Sequence, residues 1–271
     1  IIKAYTAQPL THPTLIKTGV SVLMLDGFAN VTIFSSNGSS IKHANITMKN
    51  SSNIIIRNIK FDELWEWDEE TSGDYDRNDW DYMTIDSACN GIWIDHCTFY
   101  KAYDGVIDVK NPSPENNVTI SWCEFLPGSE DDIFFDAMMD ELDRNSEKYP
   151  YYQHLLDAGM TKSQIRGYAY GQKKTHLFGQ SDEAANAAGI KVTLANNYYY
   201  NSMDRMPRLR YGYTHVYNCI MDAQELRDTR KSITNEDIAK KIVSNGASST
   251  CGAQVLLENC YINGIENALN S

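Results

Sequence analysis

The 271 residues carry 24 basic and 36 acidic side chains, a formal net charge of −12 and 42% hydrophobic content. That length and apolar fraction suffice for a large core. No apolar run reaches the roughly 20 residues that a membrane-spanning helix needs, so no membrane partner is expected. The acidic surplus disfavours nucleic acid, whose binding is driven by neutralising phosphates with Lys and Arg.

Residues 1–26 are weakly patterned and read as an incomplete first turn. They hold no basic n-region or apolar h-region, so any export signal is expected to have been removed or never included. From Asn30 the chain repeats itself. Val31-Thr32-Ile33 precedes Ile54 by 23 residues, and the runs starting at Ile54, Ile92, Val118, Val192, Thr214 and Val255 share one grammar. Their first and third positions are apolar or Thr, the period of two of a strand with one buried face. Asn58, Asn196, Asn218 and Asn259 fall in one column, where turns would let amides bond along a stack. Cys97, Cys123, Cys219 and Cys260 fall in the next, and Phe61, Phe99, Phe125, Tyr199, Met221 and Ile262 lie two positions further on. Repeats of this length built from short strands predict a solenoid, here an all-β parallel β-helix.

Three stretches leave the repeat. Residues 62–79, rich in Trp, Asp and Glu, read as a loop excursion. Residues 126–172 read as a helical insertion, opened by a capping box of Ser129 and Asp132 and carrying an apolar stripe of Phe134, Phe135, Met138, Met139 and Leu142. Residues 222–250 predict a second excursion, with Thr234 and Asp237 capping a short helix that stops near Asn245-Gly246. None reads as a separate domain, so residues 1–271 form one β-helix unit. The cysteine column suggests buried free thiols, with a Cys89–Cys251 disulfide as the open alternative. None of the six shows metal-site spacing.

Charge concentrates between the rungs. Asp104-Gly105-Val106-Ile107-Asp108-Val109-Lys110 alternates so that Gly105, Ile107 and Val109 can face inward while Asp104, Asp108 and Lys110 project to solvent. Asp79 and Asp81 lie about one coil earlier, and neighbouring coils are about 4.8 Å apart, which puts Asp81 beside Asp104 and Asp108. Carboxylates so crowded repel one another unless a cation intervenes, and hard oxygen ligands suit calcium. A solvated acidic face would give the same spacing. Lys174 follows Asp108 by about one coil once the insertion is subtracted, and Arg205 follows Lys174 by another. Arg205, Arg208 and Arg210, stiffened by Pro207, would draw a polyanion, although pairing with the surplus carboxylates would use them equally well.

Trp93-Ile94-Asp95-His96, Asp104-Gly-Val-Ile-Asp108, Lys174-x-x-Leu-Phe-Gly and Arg205-x-Pro-Arg-x-Arg210 together resemble the ordered motifs of the polysaccharide lyase family 1 pectate lyases, over roughly Asn30 to Ile262. The resemblance implies a right-handed parallel β-helix and calcium bound by Asp81, Asp104 and Asp108, with Asp79 an accessory ligand. It implies that Lys174 and Arg210 hold substrate carboxylates, that Arg205 is the base, and that Arg208 lies near substrate. The implied reaction is β-elimination on α-1,4-linked polygalacturonate, giving 4,5-unsaturated oligogalacturonides. Related pectin lyases lack these aspartates, which favours the de-esterified polymer. The glycine-rich opening and capping helix usual in the family are not evident, and the insertion before Lys174 is long, so the chain reads as a trimmed core with a reshaped groove.

An arginine base is chemically demanding. With an unperturbed pKa of about 12.5, neutralising it at pH ~8 costs roughly 6 kcal/mol, so an alkaline optimum is expected. His96, His176 and His215 are the rival bases. A non-catalytic pectin-binding β-helix and a pectin lyase acting on methyl-esterified chains remain alternatives. A secreted protein is expected from the location of the substrate, and a monomer is the expected state.

Overall fold

The computed structural model describes residues 2–5 (backbone only), 12–15, 20–73, 80–111, 116–129 and 132–271. Asp79 lies outside them, as does the rest of the 74–79 stretch. Among the described residues, strands gather into three sheets of nine, seven and seven, each taking about one strand from every coil. In the long sheet, Val20–Asp26, Ala44–Lys49, Met83–Ile85, Ile107–Val109, His176–Phe178, Arg208–Arg210, Asn245–Thr250 and Asn267–Asn270 follow in parallel, with Ile2–Tyr5 antiparallel at one edge. Parallel pairing between successive coils, with no return hairpins inside the stack among the described residues, makes this a parallel β-helix.

The repeat read from the sequence is the structural register. Val31, Ile54, Ile92, Val118, Val192, Thr214 and Val255 pair in succession across the second sheet. Ile54 and Ile56 are completely buried, as the alternation requires. Phe61, Phe99, Phe125 and Tyr199 pair in the third sheet, and their rings stack at 4.9, 5.3 and 4.7 Å with interplanar angles below 10°. Coil spacing sets that distance, so Phe99 and Phe125 each gain a stacked ring on both sides.

The asparagine column has a backbone cause that the amide-stack expectation missed. Asn58, His96, Trp122, Asn196, Asn218 and Asn259 all have φ between +48° and +57°. Asn tolerates this left-handed corner better than other side-chain-bearing residues. The expected amide bond forms between Asn259 and Asn218 at 2.6 Å, whereas His96 and Trp122 interrupt the stack. All six cysteines are free; Cys97, Cys123 and Cys219 are buried, while Cys251 is exposed and unpaired with Cys89.

The insertion holds helices Ile133–Arg144, Pro150–Asp157 and Lys162–Tyr170. Phe135, Met138, Met139 and Leu142 are buried, as the stripe requires. The helix begins at Ile133, so Asp132 is its N-cap, without a side-chain cap bond, and not the third helical residue of a box opened at Ser129; Thr161 and Gln164 form a capping box at the third helix. Trp65 and Trp67 of the acidic excursion pack onto Phe135 and Tyr151 at 5.1 and 5.7 Å, so this part of it is a wedge beneath the helices more than a free loop. In the second excursion Asn235, not Thr234, caps Glu236–Ala239, accepting from the N–H groups of Asp237 and Ile238. The excursion also ends sooner than expected, since Asn245–Thr250 returns as a strand of the long sheet.

Candidate active site

Asp81, Asp104, Lys174 and Arg205 each stand two or three residues ahead of a long-sheet strand, those beginning at Met83, Ile107, His176 and Arg208. The four strands are consecutive neighbours, so the four side chains come together on one edge of the sheet. Asp108 lies inside its strand, paired with Thr84 and Leu177, and its neighbours Ile107 and Val109 turn into the core.

The carboxylates do not project freely to solvent, as the alternation suggested. Asp81, Asp104 and Asp108 are only 1%, 7% and 2% exposed. Cations close over them: Lys174 Nζ donates to Asp104 Oδ1 at 2.6 Å, while Lys110 Nζ lies 3.4 Å from Asp108 Oδ2 and 3.9 Å from Asp81 Oδ2. Gly105 also departs from its expected inward orientation. It precedes the strand proper, and a β-carbon there would stand 2.6 Å from Asp81 Oδ1 and 3.1 Å from Asp108 Oδ1. Glycine is needed because the two carboxylates close over its backbone.

Burial pushes the Asp81 carboxyl well above the usual carboxylate range, and the negative charges of Asp108 and Asp104 push it further. Burial also raises Asp104, opposed by the Lys174 ammonium. Among the described residues no three His, Cys, Asp or Glu side chains are drawn together closely enough to hold a metal ion. Asp104 turns to Lys174, leaving the Oδ1 atoms of Asp81 and Asp108 as the converging pair. Asp81 Oδ1 is buried without a hydrogen-bond partner. An orphaned anionic oxygen in an all-oxygen donor set fits a hard divalent cation in kind, since burial of an unpaired carboxylate is otherwise costly.

Arg205 sits in left-handed backbone at φ +66°, partly buried, with its charge felt by both Asp81 and Asp104; its Nε is buried without a hydrogen-bond partner. A non-glycine residue held there costs about 1–3 kcal/mol, and such positions cluster at working sites. Arg208 and Arg210 flank the buried Leu209 and so share the outer face. Arg210 Nε lies 2.6 Å from Asp182 Oδ1. Lys110 and Asp182 were not singled out as site residues from the sequence. The signal for Lys110 was its position two residues after Asp108, on the same face; Asp182 gave none.

The rival histidines separate from this strip. His176 faces the core, fully buried, its Nε2 3.2 Å from the Tyr199 hydroxyl, and burial pulls it down to about 3. His96 and His215 belong to coils of the second sheet, each tied to a carboxylate at 2.7 Å, Asp95 and Glu258 respectively.

These features define a parallel β-helix protein with a strip of carboxylates, ammoniums and guanidiniums along its long sheet. A family model described as pectate lyase matches residues 25–150 and 161–263. Pectate lyase B of Paenibacillus amylolyticus is 48% identical over 269 residues, 95% of this chain and 68% of that protein. Pectate trisaccharide-lyase of Thermotoga maritima is 29% identical over 233 residues, covering 80% of this chain and 50% of that one. The solved pectate lyase from Paenibacillus sp. 0602 superposes with a TM-score of 0.86 at 46% identity, over 93% of this chain and 59% of its own. The chain belongs to the pectate lyase family. It spans between half and about two thirds of the length of these relatives.

Proposed function

We propose that this protein is a calcium-dependent pectate lyase that cleaves α-1,4-linked polygalacturonate by β-elimination. The observation that carries the reading is the meeting of Asp81, Asp104, Lys174 and Arg205 at the heads of four adjacent strands. Family membership and the 48% identical pectate lyase B support it independently.

In this reading Lys174, Arg208 and Arg210 bind uronate carboxylates, which a chain of net charge −12 would otherwise repel. Arg205 takes the proton from C5. The electrons of that C–H bond form the C4–C5 double bond, the C4–O bond breaks, and the leaving oxygen is protonated from water. No nucleophile is required. Asp81, Asp104 and Asp108 would hold the calcium, which when bound supplies positive charge for the uronate carboxylate as negative charge builds on it. Asp79 would be an accessory ligand. Lys110 and Lys174 moderate the carboxylate repulsion from the protein side. An arginine serves as a base only in its neutral form, which rising pH favours, so the rate is expected to peak on the alkaline side of neutrality. Among the described residues no helix is long and apolar enough to cross a membrane. Secretion, a monomeric state and one undivided catalytic unit remain part of this reading.

The test is ultraviolet absorbance of unsaturated product from polygalacturonate, with calcium and then with excess chelator. Absorbance that grows with calcium and stops with chelator supports the assignment. Folded protein that binds the polymer without forming product would make it a pectin-binding β-helix. Preference for methyl-esterified polymer would make it a pectin lyase.

A further inference from the structure

Asp81, Asp104, Lys174 and Arg205 precede their strands, where backbone bonds between coils are fewer, such as that from His176 N–H to Arg205 O at 2.8 Å. A buried amide supplies part of what the ladder lacks. Gln172, where the helical insertion rejoins the coil, is 1% exposed. Its Oε1 accepts from the Ala102 N–H at 2.8 Å, and its Nε2 donates to the Lys174 carbonyl at 2.9 Å, with longer contacts of 3.4 Å to the carbonyls of Ala102 and Asp104. Its main chain reaches the other way: the Gln172 N–H donates to Asn201 O at 3.0 Å, and Met203 N–H donates to Gln172 O at 2.8 Å.

One residue thus ties three successive coils. Its side chain grips the coil that carries Asp104, its own coil carries Lys174, and its peptide holds the segment that leads to Arg205. The Lys174–Asp104 ion pair closes the same circuit. An amide suits the position because it offers an acceptor and two donors together. A hydrocarbon of the same size would leave Ala102 N–H and Lys174 O buried without this partner.

We propose that Gln172 is a positioning residue for the elimination reaction, setting the separation of Asp104, Lys174 and Arg205 without touching substrate. The inference rests on the reaction proposed above. It is tested with Gln172→Glu, which keeps the acceptor for Ala102 N–H but, ionised, has no donor for the carbonyls of Lys174 and Asp104. Steady-state kinetics on polygalacturonate would be measured at saturating calcium, alongside amide hydrogen exchange and thermal melting. The expected result is a folded protein whose kcat falls roughly ten- to a hundredfold, with KM within about threefold of wild type, because small misplacements of reacting groups act on the chemical step. Exchange should quicken in residues 102–106 and 174–176. A role in folding alone would lower the melting temperature and the active fraction while leaving kcat per folded molecule intact, and that outcome overturns the proposal. Should Gln172→Glu fail to fold, Gln172→Asn, one methylene short but still an amide, is expected to show the same split, and wild-type kinetics from it would overturn the proposal. A wild-type protein that forms no product sinks the reaction assignment and the positioning role together. An active wild type with unimpaired Gln172 variants sinks the positioning role alone.

Discussion

Arg210 and Asp182 form an ion pair of unequal partners: the arginine side chain is 15% exposed and the carboxylate 63%, with 2.6 Å between Nε and Oδ1. Arg210 also donates to the carbonyls of Gly179 and Gln180 at 3.3 Å, so the guanidinium is anchored from behind while the acid reaches in from solvent. On the function proposed above, Asp182 would compete with a substrate carboxylate for Arg210. Exposed pairs contribute about 0.2–1 kcal/mol, so Asp182→Asn is expected to lower KM for polygalacturonate by up to about fivefold with kcat unchanged. A raised KM would mean that Asp182 helps to hold the substrate.

Arg205→Ala is expected to abolish elimination, with a loss of at least about a thousandfold in kcat, while leaving polymer affinity within a factor of roughly ten. Arg205→Lys tests geometry separately from charge, since an ammonium cannot reproduce the planar guanidinium. Isothermal titration with a short oligogalacturonate and the absorbance assay separate the two quantities. Residual activity near wild type in both variants would remove Arg205 from the base role.

Asp81 carries a buried oxygen without a hydrogen-bond partner beside two like charges. Asp81→Asn is therefore expected to raise the melting temperature in chelator, by an amount corresponding to about 1 kcal/mol, while erasing the calcium-induced rise expected of wild type. Calorimetric melting with and without calcium reads both effects. A calcium response that survives in the variant would place the ion elsewhere.

Much of this molecule was legible in the sequence because a solenoid writes each coil in the same grammar. The alignment of Ile54, Ile92, Val118 and Val192 became hydrogen-bonded register without a shift. The order of Asp104, Lys174 and Arg205 along the strip was legible for the same reason, since coil number converts to position. What failed lies where periodicity stops. Gly105 falls before its strand, so alternation gave it the wrong face. Asp132 and Thr234 have suitable residue types for caps, yet Asp132 stands at its N-cap without a side-chain cap bond and Asn235 caps the short helix in place of Thr234. The burial of Asp81, Asp104 and Asp108 was hidden because it depends on Lys110 and Lys174 folding over them.

Acid should weaken the fold through its buried imidazoles. His176 is pulled down to about 3 by burial, whereas the unfolded chain protonates near 6.5, so the unfolded state binds the extra proton first. The stability associated with His176 is complete above pH 6.5 and is lost progressively as pH falls toward 3. His12, pulled down to about 4 by burial, adds to the loss; Asp132, pushed up to about 6 by burial, opposes it. Urea midpoints between pH 7 and 4 should fall less steeply for His176→Phe than for wild type. Equal slopes would mean that His176 does not contribute to the acid limb.

The left-handed corner at Asn196, φ +57°, predicts an unusual tolerance. Asn196→Gly is expected to change stability by less than about 0.5 kcal/mol, and Asn196→Val to cost about 1–2 kcal/mol, by urea titration. The reverse order would show that the asparagine is retained for its side-chain contacts.

Phe125 and Tyr199 stack 4.7 Å apart, as close as rings on coils joined without interruption, although the three-helix insertion is threaded between them. The interior keeps no trace of the detour. Such a stack behaves like a bound volume whose pages are fixed at the spine: the segment between Leu126 and Gln172 leaves and returns without renumbering the pile of rings inside. The spacing of the charges along the strip is likewise left to the coils and not to what the chain does between them.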